Sequence, residues 1–286
     1  MQDPTQSQSK TLVEKLNEWV DTNQETPTGV SYNTYSTNTR GKDTEGSYLI
    51  YFPPTYEKDV NRRYPVLFWL HGGNGTAREG VWAIQNYSRA INEGKIPEVI
   101  IVSVQALPIG RYLNSKDGKQ PIEDVIIKDL IPHIDSTYRT ITHRENRWIE
   151  GMSMGGYGAL RFGFKYPDLF GVVSAIAPSI LRNLTEEPEE VGVSFGNSQE
   201  YFEEVGPWHI AEVNAEKFLQ NKNRLRIFIG DNDIRLLQSV RNYHRLLSDL
   251  KVSTDYKEIP GANHIYAEVA TNCGDEFFTF WKTALN

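Results

Sequence analysis

The 286-residue chain has a single cysteine, Cys273. It cannot close an internal disulfide, and no Cys-rich metal cluster exists. With no recognisable motif around it, Cys273 reads as a small packing side chain rather than a nucleophile. Long apolar runs are missing too: no stretch approaches the ~18 residues that a membrane-spanning helix needs. Positive charge is short. With 30 Lys and Arg against 37 Asp and Glu, the formal net charge is −7, which excludes the basic face on which electrostatic nucleic-acid binding rests. There is no internal repeat and no low-complexity tract. A composition of 39% hydrophobic and 23% charged residues suits a packed core rather than disorder. The first ten residues, MQDPTQSQSK, lack the apolar centre of a signal peptide. They read as the start of a mature chain with an added methionine, so a secreted or periplasmic protein is the expectation, with a cytoplasmic one the alternative.

What is present is an alternation of strands and helices. Residues 11–21 put Leu12, Val13, Leu16, Trp19 and Val20 on one face behind a Thr11/Glu14 capping box. They predict an amphipathic helix in an N-terminal extension covering about residues 9–28. Alternating segments at 31–37 and 47–52 predict antiparallel strands that begin a sheet. From residue 65 short apolar runs, at 66–70, 99–104, 148–150, 172–176 and 225–229, alternate with helical stretches, and 254–259 adds a late strand. Runs apolar on both faces and separated by helices predict a mostly parallel sheet covered on both sides, in a single α/β domain. Helices are predicted over 122–138, 234–250 and about 266–283. Residues 179–210 break the rhythm, and an excursion of that length predicts an insertion or lid.

The chemistry concentrates in Gly151-Met152-Ser153-Met154-Gly155. This is G-x-S-x-G between a short strand and a helix-compatible stretch, the context in which a serine sits on a sharp turn with its hydroxyl exposed. The flanking glycines remove side chains that would collide with strand and helix. Attack by a serine on an ester creates an oxyanion that needs two preorganised N–H donors. One is the N–H after the nucleophile, Met154; Gly73, in Leu70-His71-Gly72-Gly73-Asn74-Gly75, is the expected second. His71 reads as a scaffold residue. A serine hydroxyl also needs a general base. Among six histidines, His264 alone follows a late strand in a loop, Pro260-Gly261-Ala262-Asn263-His264. The orienting acid should follow the preceding strand, where Asp231 and Asp233 compete. Asp233 is preferred, and the chain order Ser, Asp, His suits such a sheet.

The segments GMSMGGYGAL, LHGGNG and PGANH together resemble the esterase D-type group of α/β hydrolases, over about residues 46–281. The resemblance is closest to the feruloyl and acetylxylan esterases of carbohydrate esterase family 1. It implies the α/β-hydrolase fold and ester hydrolysis through an acyl-enzyme without metal or organic cofactor. It also implies Asp233 as the acid, through the G-x-x-D of GDND, and Gly73 as the loop donor. The implied substrate is a small-molecule or oligosaccharide ester. Tyr157 stands where S-formylglutathione hydrolases of this group typically have histidine, which weighs against a thioesterase of that kind. A sugar acyltransferase and a catalytically silent carbohydrate-binding module on the same scaffold compete with the esterase reading as well. Trp82, Tyr112, Tyr157 and Trp208 are candidate substrate-pocket aromatics.

Overall fold

The computed structural model describes residues 10–284, so most of the N-terminal decapeptide lies outside the described residues. The strands are β1 (Val30–Ser36), β2 (Glu45–Tyr51), β3 (Val66–Leu70), β4 (Ile100–Val104), β5 (Arg147–Met152), β6 (Val172–Ile176), β7 (Arg224–Gly230) and β8 (Thr254–Ile259). They form one sheet in the order β1-β2-β4-β3-β5-β6-β7-β8. The pairings β1–β2 and β2–β4 are antiparallel, and all others are parallel. The fold is that of an α/β hydrolase.

The sequence pattern explains the layers. In β3 every residue is buried, with Val66, Phe68 and Leu70 packing into one core and Leu67 and Trp69 into the core on the opposite face. An alternating pattern would leave one of those faces wet. Because the strands from β3 onward run parallel, their C-terminal ends share one edge. That edge collects the loops after Leu70, Met152, Gly230 and Ile259.

Three expected elements come out differently. The helix expected over 11–21 is a single turn, Leu12–Lys15, with its Thr11/Glu14 capping box intact. Beyond it the backbone bonds to the body of the protein instead of to itself. Ser47 N–H donates to the Trp19 carbonyl, the Gln105 amide to the Glu18 carbonyl, and Asp21 N–H to Ser47 Oγ. The helix predicted at 122–138 is continuous but π-helical over Val125–Leu130, directly before Pro132. Proline has no N–H to give and crowds the preceding turn, which the wider spacing accommodates. The last helix is broken into Tyr266–Cys273 and Glu276–Lys282 by Gly274, which caps the first at φ 63°.

Residues 179–210 are ordered. They hold the helices Glu189–Gly192 and Gln199–Val205 and lead into Pro207–Gln220, which carries His209. Trp208 Nε1–H donates to the Ile180 carbonyl at 3.0 Å, and Lys116 N–H to the Ser194 carbonyl at 3.0 Å. No helix among the described residues is long and apolar enough to cross a membrane.

Beneath the strand ends lies a polar cluster. Glu150 on β5, Ser174 on β6 and Arg226 on β7 are neighbours in register, each 0% exposed. Arg226 meets Glu150 Oε2 at 2.6 Å and donates through Nε to Ser174 Oγ at 3.0 Å. Ser174 Oγ donates to the same carboxylate oxygen at 2.6 Å. Glu150 Oε1 accepts from Tyr87 Oη at 2.7 Å and Tyr266 Oη at 3.3 Å. Removing one partner of a buried ion pair strands the other charge and costs ~3–5 kcal/mol. Arg226→Met is therefore expected to lower the unfolding free energy in urea by about that amount; a loss under ~1 kcal/mol would remove the pair from the fold's essential contacts.

Candidate active site

Ser153 joins β5 to the helix Met154–Lys165 with φ 57° and ψ −115°, a sparsely populated conformation that costs ~1–3 kcal/mol in a non-glycine residue. The surroundings hold it there. Its N–H donates to the Ile176 carbonyl at 2.9 Å, and its carbonyl accepts from Tyr157 and Ser179 N–H, each at 3.0 Å. The turn closes only with glycine on both sides. A Cβ on Gly151 would lie 2.4 Å from the Gly155 backbone, and one on Gly155 2.0 Å from the Leu70 carbonyl oxygen.

The loop after β3 leaves one donor free. Gly72 N–H is taken by Glu79 Oε2 at 2.8 Å, Asn74 N–H by the Pro108 carbonyl at 2.7 Å, and Gly75 N–H by the Gly72 carbonyl at 3.2 Å. Gly73 N–H has no acceptor among the described residues. Met154 N–H, at the first position of its helix, has none either. These two donors and Ser153 border a chamber of about 120 Å³.

His71 braces this loop from below. Ala106 N–H donates to its Nε2 at 3.2 Å, which leaves Nδ1–H to donate to the Gly72 carbonyl at 2.8 Å. Fully buried, His71 is a scaffold residue.

His264 Nδ1 meets Asp233 Oδ2 at 2.5 Å. A carboxylate there fixes the proton on Nδ1 and turns Nε2 into the acceptor a nucleophile needs. Asp233 is buried. Asp231 works elsewhere, accepting Gly261 N–H at 2.7 Å and so shaping the loop that carries His264. Ser153 and His264 line one cavity of about 430 Å³. The Ser153 hydroxyl is not hydrogen-bonded to the imidazole in this structure; catalytic contacts of this kind tighten when substrate binds. The other histidines are engaged in packing or lie away from Ser153. His133 stacks on Tyr35 and His244 on Tyr256 at 4.2 Å, and burial lowers the pKa of both.

The four candidate aromatics separate. Trp82 stands at the mouth of the catalytic cavity, 66% exposed. Tyr112 is buried behind the loop, its hydroxyl donating to the His71 carbonyl at 3.0 Å; its ring fills the space a Cβ on Gly158 would need. Tyr157 and Trp208 line a different cavity, of about 400 Å³, under the 179–210 segment. Burial pushes the Tyr157 hydroxyl up to about 12. None of these three lines the cavity shared by Ser153 and His264; aromatic residues in loops and helix starts serve as core or as platform, and periodicity does not tell the two apart.

Three contributors carried no sequence signal. Glu79 holds Gly72 and lines the catalytic cavity, but it belongs to no motif. Tyr266 walls the same cavity while its hydroxyl reaches Glu150. Arg111 and Tyr112 are consecutive left-handed residues, at φ 52° and 55°. Arg111 donates to the Ser179 carbonyl at 2.9 Å and pairs with buried Glu187, tying the 179–210 segment down beside Ser153. Burial raises the Glu187 carboxyl above its ordinary value, and the Arg111 guanidinium opposes that shift.

A strained serine between free N–H donors, with an Asp-oriented histidine across the cavity on the same sheet edge, is the chemistry of a serine hydrolase. Comparison with known proteins narrows the class. A family model described as "Putative esterase" matches residues 42–286, and the chain belongs to this esterase family. It is 30% identical over 164 residues to an endo-1,4-beta-xylanase/feruloyl esterase of Xylanibacter ruminicola, covering 55% of this chain and 22% of that protein. It is 25% identical over 224 residues to an acetyl esterase of Caldicellulosiruptor saccharolyticus, covering 73% and 80% respectively. A solved ferulic acid esterase superposes with TM-score 0.73 at 22% identity, over 88% of this chain and 97% of that one, which speaks for the fold. The chain spans 22% and 52% of the length of two curated relatives it matches.

Loss of the hydroxyl in Ser153→Ala is expected to abolish hydrolysis of p-nitrophenyl acetate with the circular dichroism spectrum unchanged. Asp233→Asn should lower kcat by about 10⁴ through the wrong imidazole tautomer, whereas Asp231→Asn should stay within about tenfold of the parent. The reverse order for the two aspartates would reassign the acid.

Proposed function

We propose that this esterase hydrolyses feruloyl or acetyl esters of plant polysaccharide, acting outside the cytoplasm. The observation that carries the reaction type is the His264–Asp233 contact at 2.5 Å, made by two loops that converge on the cavity of Ser153. Ser153 Oγ attacks the ester carbonyl carbon and gives its proton to His264 Nε2. Negative charge moves to the carbonyl oxygen, where Gly73 and Met154 N–H receive it; each such donor contributes about 3 kcal/mol. The C–O bond to the alcohol then breaks, and the departing oxygen takes the proton back from His264. Water, deprotonated by the same imidazole, attacks the acyl carbon; the bond to Ser153 Oγ breaks, the imidazole returns the proton to Oγ, and the acid leaves.

The polysaccharide-ester substrate is supported by the feruloyl and acetyl esterases among the relatives and by Trp82, whose exposed ring offers a flat apolar face beside the cavity. A panel of methyl ferulate, acetylated xylan and S-formylglutathione tests it. Turnover of one of the first two is expected to exceed that of the thioester by at least about tenfold in kcat/KM, or ~1.4 kcal/mol. Preference for S-formylglutathione would overturn the assignment and leave the triad chemistry standing.

A further inference from the structure

The catalytic cavity does not end at Trp82. A second depression of about 210 Å³ shares Trp82, Tyr266 and Ala267 with it and continues between two helices. One wall is the face of the helix Gly80–Asn92 that carries Trp82, Gln85, Asn86 and Arg89, positions spaced to lie in one line. The opposite wall, on the helix Tyr266–Cys273, presents Ala267, Ala270 and Thr271, small side chains that leave the groove open.

Its polar groups lie mostly on the first wall. Arg89 donates to Asn86 Oδ1 at 2.9 Å, which orients the Asn86 amide and leaves its Nδ2 shielded from water without a partner among the described residues. An unpaired buried donor is costly, so a small shift of the side chain that brings Nδ2 to an incoming oxygen is favoured. The remaining guanidinium N–H groups add donors, and the Gln85 amide offers both a donor and an acceptor. Among the described residues no carboxylate lines this depression.

The triad fixes which half of an ester goes there. The proton that His264 returns must reach the departing oxygen, so the alcohol lies on the imidazole's side of Ser153. His264 lines the cavity that opens into the groove, whereas the chamber bordered by Gly73 and Met154 is without it. We propose that the groove formed by Trp82, Gln85, Asn86 and Arg89 is a subsite for the saccharide portion of the leaving alcohol. A sugar ring lays its C–H face on Trp82, and the hydroxyls of the next residue along the chain accept from Asn86 and Arg89. The proposal rests on the esterase reading and extends it.

The test compares an acylated xylo-oligosaccharide with the p-nitrophenyl ester of the same acyl group, which has no sugar to place in the groove. Asn86→Ala and Arg89→Ala are expected to lower kcat/KM for the oligosaccharide ester about tenfold, chiefly through KM, relative to the p-nitrophenyl ester. Thr271→Trp, which fills the groove from an exposed helix position, should do the same and covers the case of an alanine variant that fails to fold. Unchanged ratios in the folded variants would overturn the subsite while leaving ester hydrolysis intact. Failure of the parent protein to cleave the p-nitrophenyl ester would overturn both.

Discussion

One buried carboxylate fastens together the parts of the site that the chain keeps far apart. Glu150 lies three residues before Ser153, on the strand that leads to it. Its Oε1 accepts from Tyr266, two residues after His264, and its Oε2 from Arg226 on β7, the strand that leads to Asp233. Taking these charges out of water is expensive, and an apolar cluster of equal volume would often be no less stable. What apolar side chains lack is direction. The six hydrogen bonds linking Glu150, Arg226, Ser174, Tyr87 and Tyr266 set the register of three strands and the position of the segment carrying His264.

Above that anchor the structure stores strain where the reaction needs it. Ser153 and the pair Arg111–Tyr112 hold positive φ, and each lies where neighbours leave no relaxed alternative. The serine is pinned by three backbone hydrogen bonds and the close approach of Gly151 to Gly155. Arg111 is clamped between Ser179 and Glu187. His71, Glu79 and Pro108 complete the arrangement by binding the Gly72 carbonyl, the Gly72 N–H and the Asn74 N–H, which leaves the Gly73 N–H without an acceptor among the described residues. An oxyanion donor works because it is already aimed; here the aim follows from what the neighbouring groups have been given to bind.

The central strands were legible because parallel, doubly covered strands are written as unbroken apolar runs: β3 and β6 begin and end where their patterns do. The placement of Ser153, Asp233 and His264 at one sheet edge was legible for another reason. Glycine constraints and loop placement after strands leave local marks, and Asp231 and Asp233 differ in distance from the strand end. Long-range partners leave none. Glu79, Arg111, Glu187 and Tyr266 act through contacts across 7 to 116 residues of sequence, and nothing in their immediate surroundings announces it. The same limit applies to Tyr112, Tyr157 and Trp208, whose apolar character is satisfied equally by a core and which lie outside the cavity of Ser153 and His264. The overlong first helix failed because Ser47 and Gln105 compete for its carbonyl groups, a competition invisible to a local window.

The asymmetry around Ser153 bears on specificity more than the triad does. The proposed triad would serve any ester, since its contacts end at the reacting carbonyl. On the imidazole's side the walls are Trp82 and Ile265, both exposed, and buried Tyr266, continuous with the groove beyond. On the other side Arg111, Glu187 and Arg235 border a smaller chamber, of about 120 Å³, tied to the 179–210 segment. Under the proposed reaction the acyl half of the ester faces that segment and the alcohol half faces the helix Gly80–Asn92, so the two specificities can vary independently while Ser153, Asp233 and His264 stay unchanged.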